Sequence, residues 1–372
     1  MQLTHITINP INYERRIINQ ARTALSAGNR VVIITIGRKR EPATEETPFG
    51  SLYRIRSPFI SGGPLKFLHF NFRLFFLLRR IQADILHVHD LWVLPASTIA
   101  ARISKIKLVY DAHEYYAGLE YFNHHSIRKY LWLFAEARFI RHADILLTVS
   151  EPLAQKYRKR YPEIPECRVI RNLPKLEIPS RDLARPLPRL CEKMLVYHGH
   201  LKPGRGLFNL IRALALTPDT GLVIIGGGEL HAQVQRLISE LKLSDRIILQ
   251  DYIDLSALIS TSAQADIGVA LFEPTSQNYR YALPNKFFEY IMAGLPVLTS
   301  NIETLHEYVQ KYDVGRSVDP SDPEKIAGVI REMTGDRDAM EKWRRNSRAA
   351  AETLNWDNES VKLQNIYEKL GD

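Results

Sequence analysis

The sequence predicts an α/β fold: two tandem Rossmann-like domains followed by a helical tail. Three observations predict it. The 372 residues exceed what one hydrophobic core usually fills. Short apolar runs of β-forming residues alternate with longer amphipathic ones. That alternation is interrupted once, by a proline-rich stretch, and then resumes.

In the first series, strands are expected at 3–8, 30–36, 85–89, 107–110 and 145–149, with helices near 13–27, 66–82, 94–104, 126–142 and 151–161. Several runs are apolar at nearly every position, as in parallel strands covered by helices on both faces. Pro174, Pro179, Pro186 and Pro188 mark the interruption. The second series has strands at 194–198, 222–225, 246–249, 267–271 and 297–299, and helices near 206–215, 230–242, 255–263, 284–293 and 303–310. From about Asp322 the pattern is helical only. The expected organisation is a domain over 1–175, a linker at 176–190, a second domain over 191–350 and a terminal helix, 351–372, packing back towards the first. Ligands of open α/β sheets lie beyond the carboxyl ends of the strands. Two such domains facing a central cleft would therefore carry their chemistry on strand-to-helix loops.

Cys167 and Cys191 are the only cysteines and form no CxxC, which argues against a disulfide framework or a structural zinc site and for a reducing compartment. The opening MQLTHITINP lacks the pattern of a secretory signal. No apolar run approaches the roughly 18–20 residues of a membrane span. A cytoplasmic protein is expected. Residues 1–185 hold 29 Lys and Arg against 16 Asp and Glu, and the remainder 21 against 25. The basic half implies an anionic partner, such as a membrane surface or a phosphorylated acceptor. No nucleic-acid recognition motif is present, so no nucleic acid is expected.

The most informative segment is YALPNKFFEYIMAGLPVL, residues 281–298. Leu283 and Pro284 lead into a helix that Gly294 and Pro296 stop. Asn285 and Lys286 then sit at its positive end, where phosphate binds readily. Lys286 and Glu289, three residues apart, share a face. A cation for phosphates with a carboxylate one turn on for a ribose diol suits a nucleoside diphosphate; a surface Lys–Glu pair on an ordinary helix is the alternative. Upstream, Gly199, His200, Lys202, Gly204, Arg205 and Gly206 form a glycine-bearing loop with three potential cations before a helix, a plausible anion cradle. Gly226-Gly227-Gly228 lacks dinucleotide-binding spacing and reads as a tight loop near the ligand.

These segments, with HVHDLWVLP (87–95), YDAHEYYAG (110–118), ADILLTVSEPLAQKY (143–157), VIRNLP (169–174), VYHGHLKPGRGLFNLIRAL (196–214), LVIIGGGEL (222–230) and DIGVALFEP (266–274), resemble the family 4 retaining glycosyltransferases, which have the GT-B fold. The resemblance covers most of the chain and rests on the order and spacing of the segments. It implies a nucleotide-sugar donor held by the second domain, an acceptor on the first, transfer with retention, and no metal or resident cofactor. It assigns the ribose to Glu289, the diphosphate to Arg205, and the neighbourhood of the transferred sugar to His113. Two positions depart from the pattern. Tyr281 stands where the first acid of a Glu-x7-Glu pair is common, and His200 where the family has a diphosphate-binding Arg. Lys286 is then expected to supply the second charge. The candidate catalytic residues are His113, Arg205 and Lys286.

Asn9, Tyr13 and Arg16 follow the first strand and are the candidate acceptor contacts. The acceptor itself, whether glycan, lipid-linked or small molecule, stays open. So do three other classes: a nucleotide-sugar epimerase, a sugar-nucleotide-binding protein without turnover, and a metal-dependent hydrolase built on His87, His89, Asp90, His113, His198 and His200. Asp336-Arg337-Asp338 reads as a helix cap. Residues 65–81, LKFLHFNFRLFFLLRRI, combine five phenylalanines with four cations and no acid. They read either as a core helix with a basic rim or as an interfacial helix on anionic lipid.

Overall fold

The computed structural model describes residues 1–38, 40–57, 64–119, 126–164, 166–275, 277–281 and 283–372. It divides into two compact units. The first is Met1–Asn172 with Asn358–Asp372, and the second is Leu173–Asp357.

The first unit is built on an eight-stranded sheet. Its elements are β1 (Gln2–Ile6), α1 (Arg15–Ser26), β2 (Arg30–Gly37), β3 (Thr44–Thr47), β4 (Gly50–Arg56), α2 (Pro64–Leu78), β5 (Ile85–His89), α3 (Leu94–Ser104), β6 (Lys107–Ala112), α4 (Ser126–Ile140), β7 (Ile145–Thr148), α5 (Glu151–Arg160) and β8 (Cys167–Val169). The strand order is β3-β4-β2-β1-β5-β6-β7-β8, parallel except for β3 against β4. Strands β1, β5, β6 and β7 are nearly free of solvent along their length, because helices cover both faces. The β3–β4 hairpin and β8 went unforeseen: TEET is polar and exposed, and CRV is three residues long.

The second unit holds a six-stranded, all-parallel sheet. Its elements are β9 (Lys193–His198), α6 (Leu207–Ala215), β10 (Thr220–Ile225), α7 (His231–Glu240), β11 (Ile247–Gln250), α8 (Leu255–Ser262), β12 (Ile267–Ala270), α9 (Gln277–Arg280), α10 (Asn285–Met292), β13 (Val297–Ser300), α11 (Glu303–Tyr312), β14 (Gly315–Val318), α12 (Pro323–Gly335), α13 (Arg337–Thr353) and the start of α14 (Trp356–Gly371). The order is β11-β10-β9-β12-β13-β14. Asp322 and Asp336 cap α12 and α13 by accepting from backbone amides, which is the role the Asp336 motif suggested.

The stretch expected as a linker, 176–190, is neither helix nor strand, but it is tied to the second unit. Ser180 and Arg185 donate backbone N–H to the hydroxyls of Ser260 and Thr261, and Leu187 donates to Gln264. Prolines keep it extended, and α8 with the residues just after it supplies the acceptors. From Asn358 on, α14 belongs to the first unit. There Glu359 pairs with Arg171 at 2.6 Å, Lys369 with Glu166 at 2.9 Å, and the Tyr367 hydroxyl meets His87 Nδ1 at 2.6 Å.

Candidate active site

In the second unit the site grows from the end of β9. Past His198 the chain turns at Gly199 (φ 118°), and the Gly226–Gly228 loop closes over it. A Cβ on Gly226 would lie 2.1 Å from the Gly199 carbonyl oxygen, and one on Gly228 would lie 2.5 Å from that of Leu201. Gly226 and Gly228 are thus packing requirements between two strand-end loops.

Lys286 and Glu289 lie on α10, whose N-cap is Pro284 (φ −74°, ψ 141°), one residue before the expected first turn. Leu283 is buried in the core beneath, and Asn285 is exposed at the helix start. Lys286 is 8% exposed, with Nζ 3.5 Å from the centroid of the Tyr197 ring. Burial and the nearby Arg205 hold its pKa well below the usual lysine value. Arg205 spreads its guanidinium 4.4 Å over Phe272 and 5.5 Å from Tyr279, and its Nε is buried with no hydrogen-bond partner. Glu289, 5% exposed, faces His198 Nδ1 at 3.6 Å. Two cations on aromatic faces and a buried carboxylate therefore meet at one strand end and one helix start. His200 turns elsewhere: its Nδ1 meets the Tyr252 hydroxyl at 2.9 Å, and that hydroxyl donates to the Gly227 carbonyl. Tyr281 follows α9.

In the first unit, strand register assembles a second cluster. Pairing sets His5 beside His87 and His89 beside Asp111, all fully buried. Asp111 accepts from Arg16 Nε and Nη2 at 2.8 and 2.7 Å and from Gln20 at 2.8 Å. Burial opposes its charge, but Arg16 and His113 outweigh burial and hold the carboxyl well below its ordinary range. Arg16 gives its remaining Nη1 to the Ile170 carbonyl. The residue expected at the acceptor is therefore a buried internal ion-pair partner, with all three guanidinium nitrogens used inside the fold.

His113 lies just beyond β6. Its Nδ1 is 3.4 Å from Asp90 Oδ1 and its Nε2 3.4 Å from Asp111 Oδ2. Burial alone would lower its pKa, but the two carboxylates raise it to about 9. At neutral pH it is an imidazolium, a cation and donor rather than a proton acceptor. Asp90 reaches this position from a backbone at φ 70°, a conformation that costs a non-glycine residue about 1–3 kcal/mol. Asn9 donates to Glu14 at 2.9 Å nearby. Tyr13 ends a 3-10 turn, and its side chain lies outside the described residues.

The six residues of the hydrolase alternative fall in different units, His198 and His200 in the second and the rest in the first. Within the first unit, His5, His87 and His89 come close enough to share an ion. However, the His87 and His89 rings are stacked at 4.5 Å and 16°, so their in-plane lone pairs do not converge. In the neighbouring group, Asp111 is already saturated by Arg16 and Gln20. Sequence reasoning passed over Asp111, His5, Tyr197 and Phe272, and weighed Asp90 only as a metal ligand. The YDAH motif held a signal for Asp111, whereas the aromatic platforms are set by tertiary contact.

Two parallel α/β sheets with a glycine-lined cradle beyond one strand end define a GT-B protein. The family model "Glycosyltransferase Family 4" matches residues 13–173, and "Glycosyl transferases group 1" matches 183–350. The chain belongs to the family 4 glycosyltransferases. It is 27% identical over 300 residues to a glycogen synthase of Mycobacterium tuberculosis, a match spanning 75% of this chain and 66%, just under two thirds, of that protein. Among solved structures, a sucrose-phosphate synthase from Thermosynechococcus elongatus superposes with a TM-score of 0.77 at 18% identity, covering 100% of this chain and 99% of that one. Anabaena Alr3699/HepE, solved in complex with UDP-glucose, gives 0.72 at 16% identity over 99% and 100%.

Proposed function

We propose that the chain transfers a glycosyl group from a nucleoside-diphosphate sugar held in the second unit to an acceptor bound by the first, with retention and without a metal. The observation that carries this reading is the convergence of Arg205, Lys286 and Glu289 at the end of β9 and the start of α10. Arg205 and Lys286 neutralise the diphosphate as it departs, and the α10 amides add the positive end of the helix dipole. Glu289 accepts from the ribose hydroxyls. The solved complex of the Anabaena neighbour with UDP-glucose supports a donor of this type. Isothermal titration with UDP, GDP, ADP and dTDP tests the site. At least one should bind, and Glu289→Ala should weaken it at least about tenfold, because a hydrogen bond to a charged group is worth roughly 1.5–3 kcal/mol. Unchanged affinity in a folded Glu289→Ala variant counts against the assignment.

The first unit also docks on anionic lipid. Helix α2 buries Phe70, Leu74 and Leu78 but leaves Leu65, Leu68, Phe72 and Phe76 exposed. Helix α4 exposes Ile127, Tyr130, Leu131 and Phe134, a stripe one turn apart. Phe67 of α2 packs edge-on against Trp132 of α4, so the two helices are neighbours in the unit. Arg73, Arg79, Arg80, Arg128 and Arg138 stand exposed on or just beyond these helices. Exposed apolar stripes with cationic flanks fit an interfacial surface. Among the described residues no helix is long and apolar enough to cross a membrane. Co-sedimentation should show salt-sensitive binding to anionic vesicles, weak binding to zwitterionic ones, and loss of binding on neutralising Arg79 and Arg80. Protein remaining in the supernatant with anionic vesicles at low salt rules the membrane face out.

A further inference from the structure

Glu136, on α4, is a buried carboxyl to which the transfer chemistry gives no part. It is 1% exposed and meets three tyrosine hydroxyls. Tyr110 of β6 and Tyr157 of α5 approach Oε1 at 3.2 and 3.1 Å, and Tyr161, just past α5, approaches Oε2 at 2.7 Å. The Tyr161 hydroxyl accepts from Arg160 Nε at 2.9 Å, so its own proton goes to Glu136 and makes Oε2 an acceptor. A proton on the carboxyl therefore sits on Oε1, facing Tyr110 and Tyr157. Burial raises the Glu136 pKa, which favours that proton.

Tyr157 also reaches the segment that carries His113. Its hydroxyl lies 3.1 Å from the Glu114 carbonyl, and the Tyr116 backbone amide hydrogen-bonds the same hydroxyl oxygen. A phenol has one proton to give and oxygen lone pairs to receive. With Glu136 and the Tyr116 amide donating to that oxygen, the Tyr157 proton is left for the Glu114 carbonyl. The Tyr116 side chain in turn donates to Asp90, one of the two carboxylates that hold His113. We propose that Tyr157, seated on Glu136, is a positioning residue for His113, fixing the turn after β6 through the Glu114 carbonyl and the Tyr116 amide. The role in catalysis rests on the glycosyl-transfer reading.

The test is NMR titration of ring-labelled histidines in the full-length protein, with the His113 signal assigned by its loss in His113→Gln. Tyr157→Phe alters no charge among the groups that face His113, namely Asp90, Asp111, Glu14, Arg16, His87 and His89. If the turn loosens, His113 draws away from its carboxylates, and its midpoint should fall from about 9 to about 8 or lower. In the same variant kcat should drop about ten- to a hundredfold, with nucleotide affinity unchanged. Tyr161→Phe removes a hydroxyl from the same cluster but none from the turn, so it should leave the His113 midpoint in place. Glu136→Gln, whose amide can donate to Tyr157 and accept from Tyr161, should leave it in place as well. A wild-type midpoint in Tyr157→Phe overturns the inference, as does an equal shift in Tyr161→Phe or Glu136→Gln, which would mark a general loss of packing. Absence of turnover by the wild type would instead sink the glycosyl-transfer reading, and the midpoints, which need no substrate, would still decide whether Tyr157 positions His113.

Discussion

Asp111→Asn should cost roughly 3–5 kcal/mol of stability, the usual price of leaving one member of a buried ion pair uncompensated. Arg16 is 3% exposed and Asp111 fully buried, so once the negative charge is gone the guanidinium has neither water nor counter-ion. The same carboxylate helps raise the pKa of His113, so the variant should also lose charge at His113 as pH rises towards neutrality. In the wild type the two groups act at opposite ends of the pH scale. The Asp111 pKa is depressed, so its contribution is complete above about pH 4 and is lost as pH falls through the lowered value. The His113 pKa is raised, so its contribution is complete below about pH 6.5 and is lost as pH climbs through about 9. Urea unfolding of Asp111→Asn and of Arg16→Met/Asp111→Leu checks the pair. The double variant, having no orphaned charge, should be the less damaged of the two. A change of less than about 1 kcal/mol in Asp111→Asn would show that the pair is not structural.

Arg205→Ala and Lys286→Met should each lower kcat by roughly 10²–10³, the range found when one preorganised donor to a developing charge is removed. Methionine in place of Lys286 keeps an unbranched chain against Tyr197, which separates loss of charge from loss of packing. Lys286 adds a second readout. Burial and Arg205 depress its pKa in the empty protein, and an arriving diphosphate reverses that balance, so the amine takes up a proton on binding at alkaline pH. Calorimetry in buffers of different ionisation enthalpy should detect this proton in the wild type and not in Lys286→Met. A variant with wild-type kcat, or one that still takes up the proton, removes Lys286 from the diphosphate site.

Much of this was legible in the sequence because the informative residues lie on loops next to strongly periodic elements. Apolar runs such as ILLT and IGVA declare buried parallel strands, and Pro284 and Gly294 bracket α10, so the sequence alone puts Lys286 and Glu289 on that helix. Arg16 was misread for a physical reason. A cation after the first strand looks like a phosphate contact until strand register reveals Asp111 beneath it. The exposed stripe of α4 went unremarked because SIRKYLWLFAEARFI is apolar on more than one side, and only packing against α3 shows which side is left over. Likewise the platforms under Arg205 and Lys286 come from Phe272, just past β12, and Tyr197 on β9, a convergence that no local pattern announces.

The most direct measurement is donor turnover: purified protein incubated with UDP-, GDP-, ADP- and dTDP-sugars, with and without glycan, lipid-linked and small-sugar acceptors, while free nucleoside diphosphate and new glycoside are both followed. The expected result is release of nucleoside diphosphate from one donor, accelerated by an acceptor and matched mole for mole by an α-glycoside from an α-donor, unaffected by chelator. Consumption of the donor without glycoside formation, or turnover that depends on added metal, would contradict it.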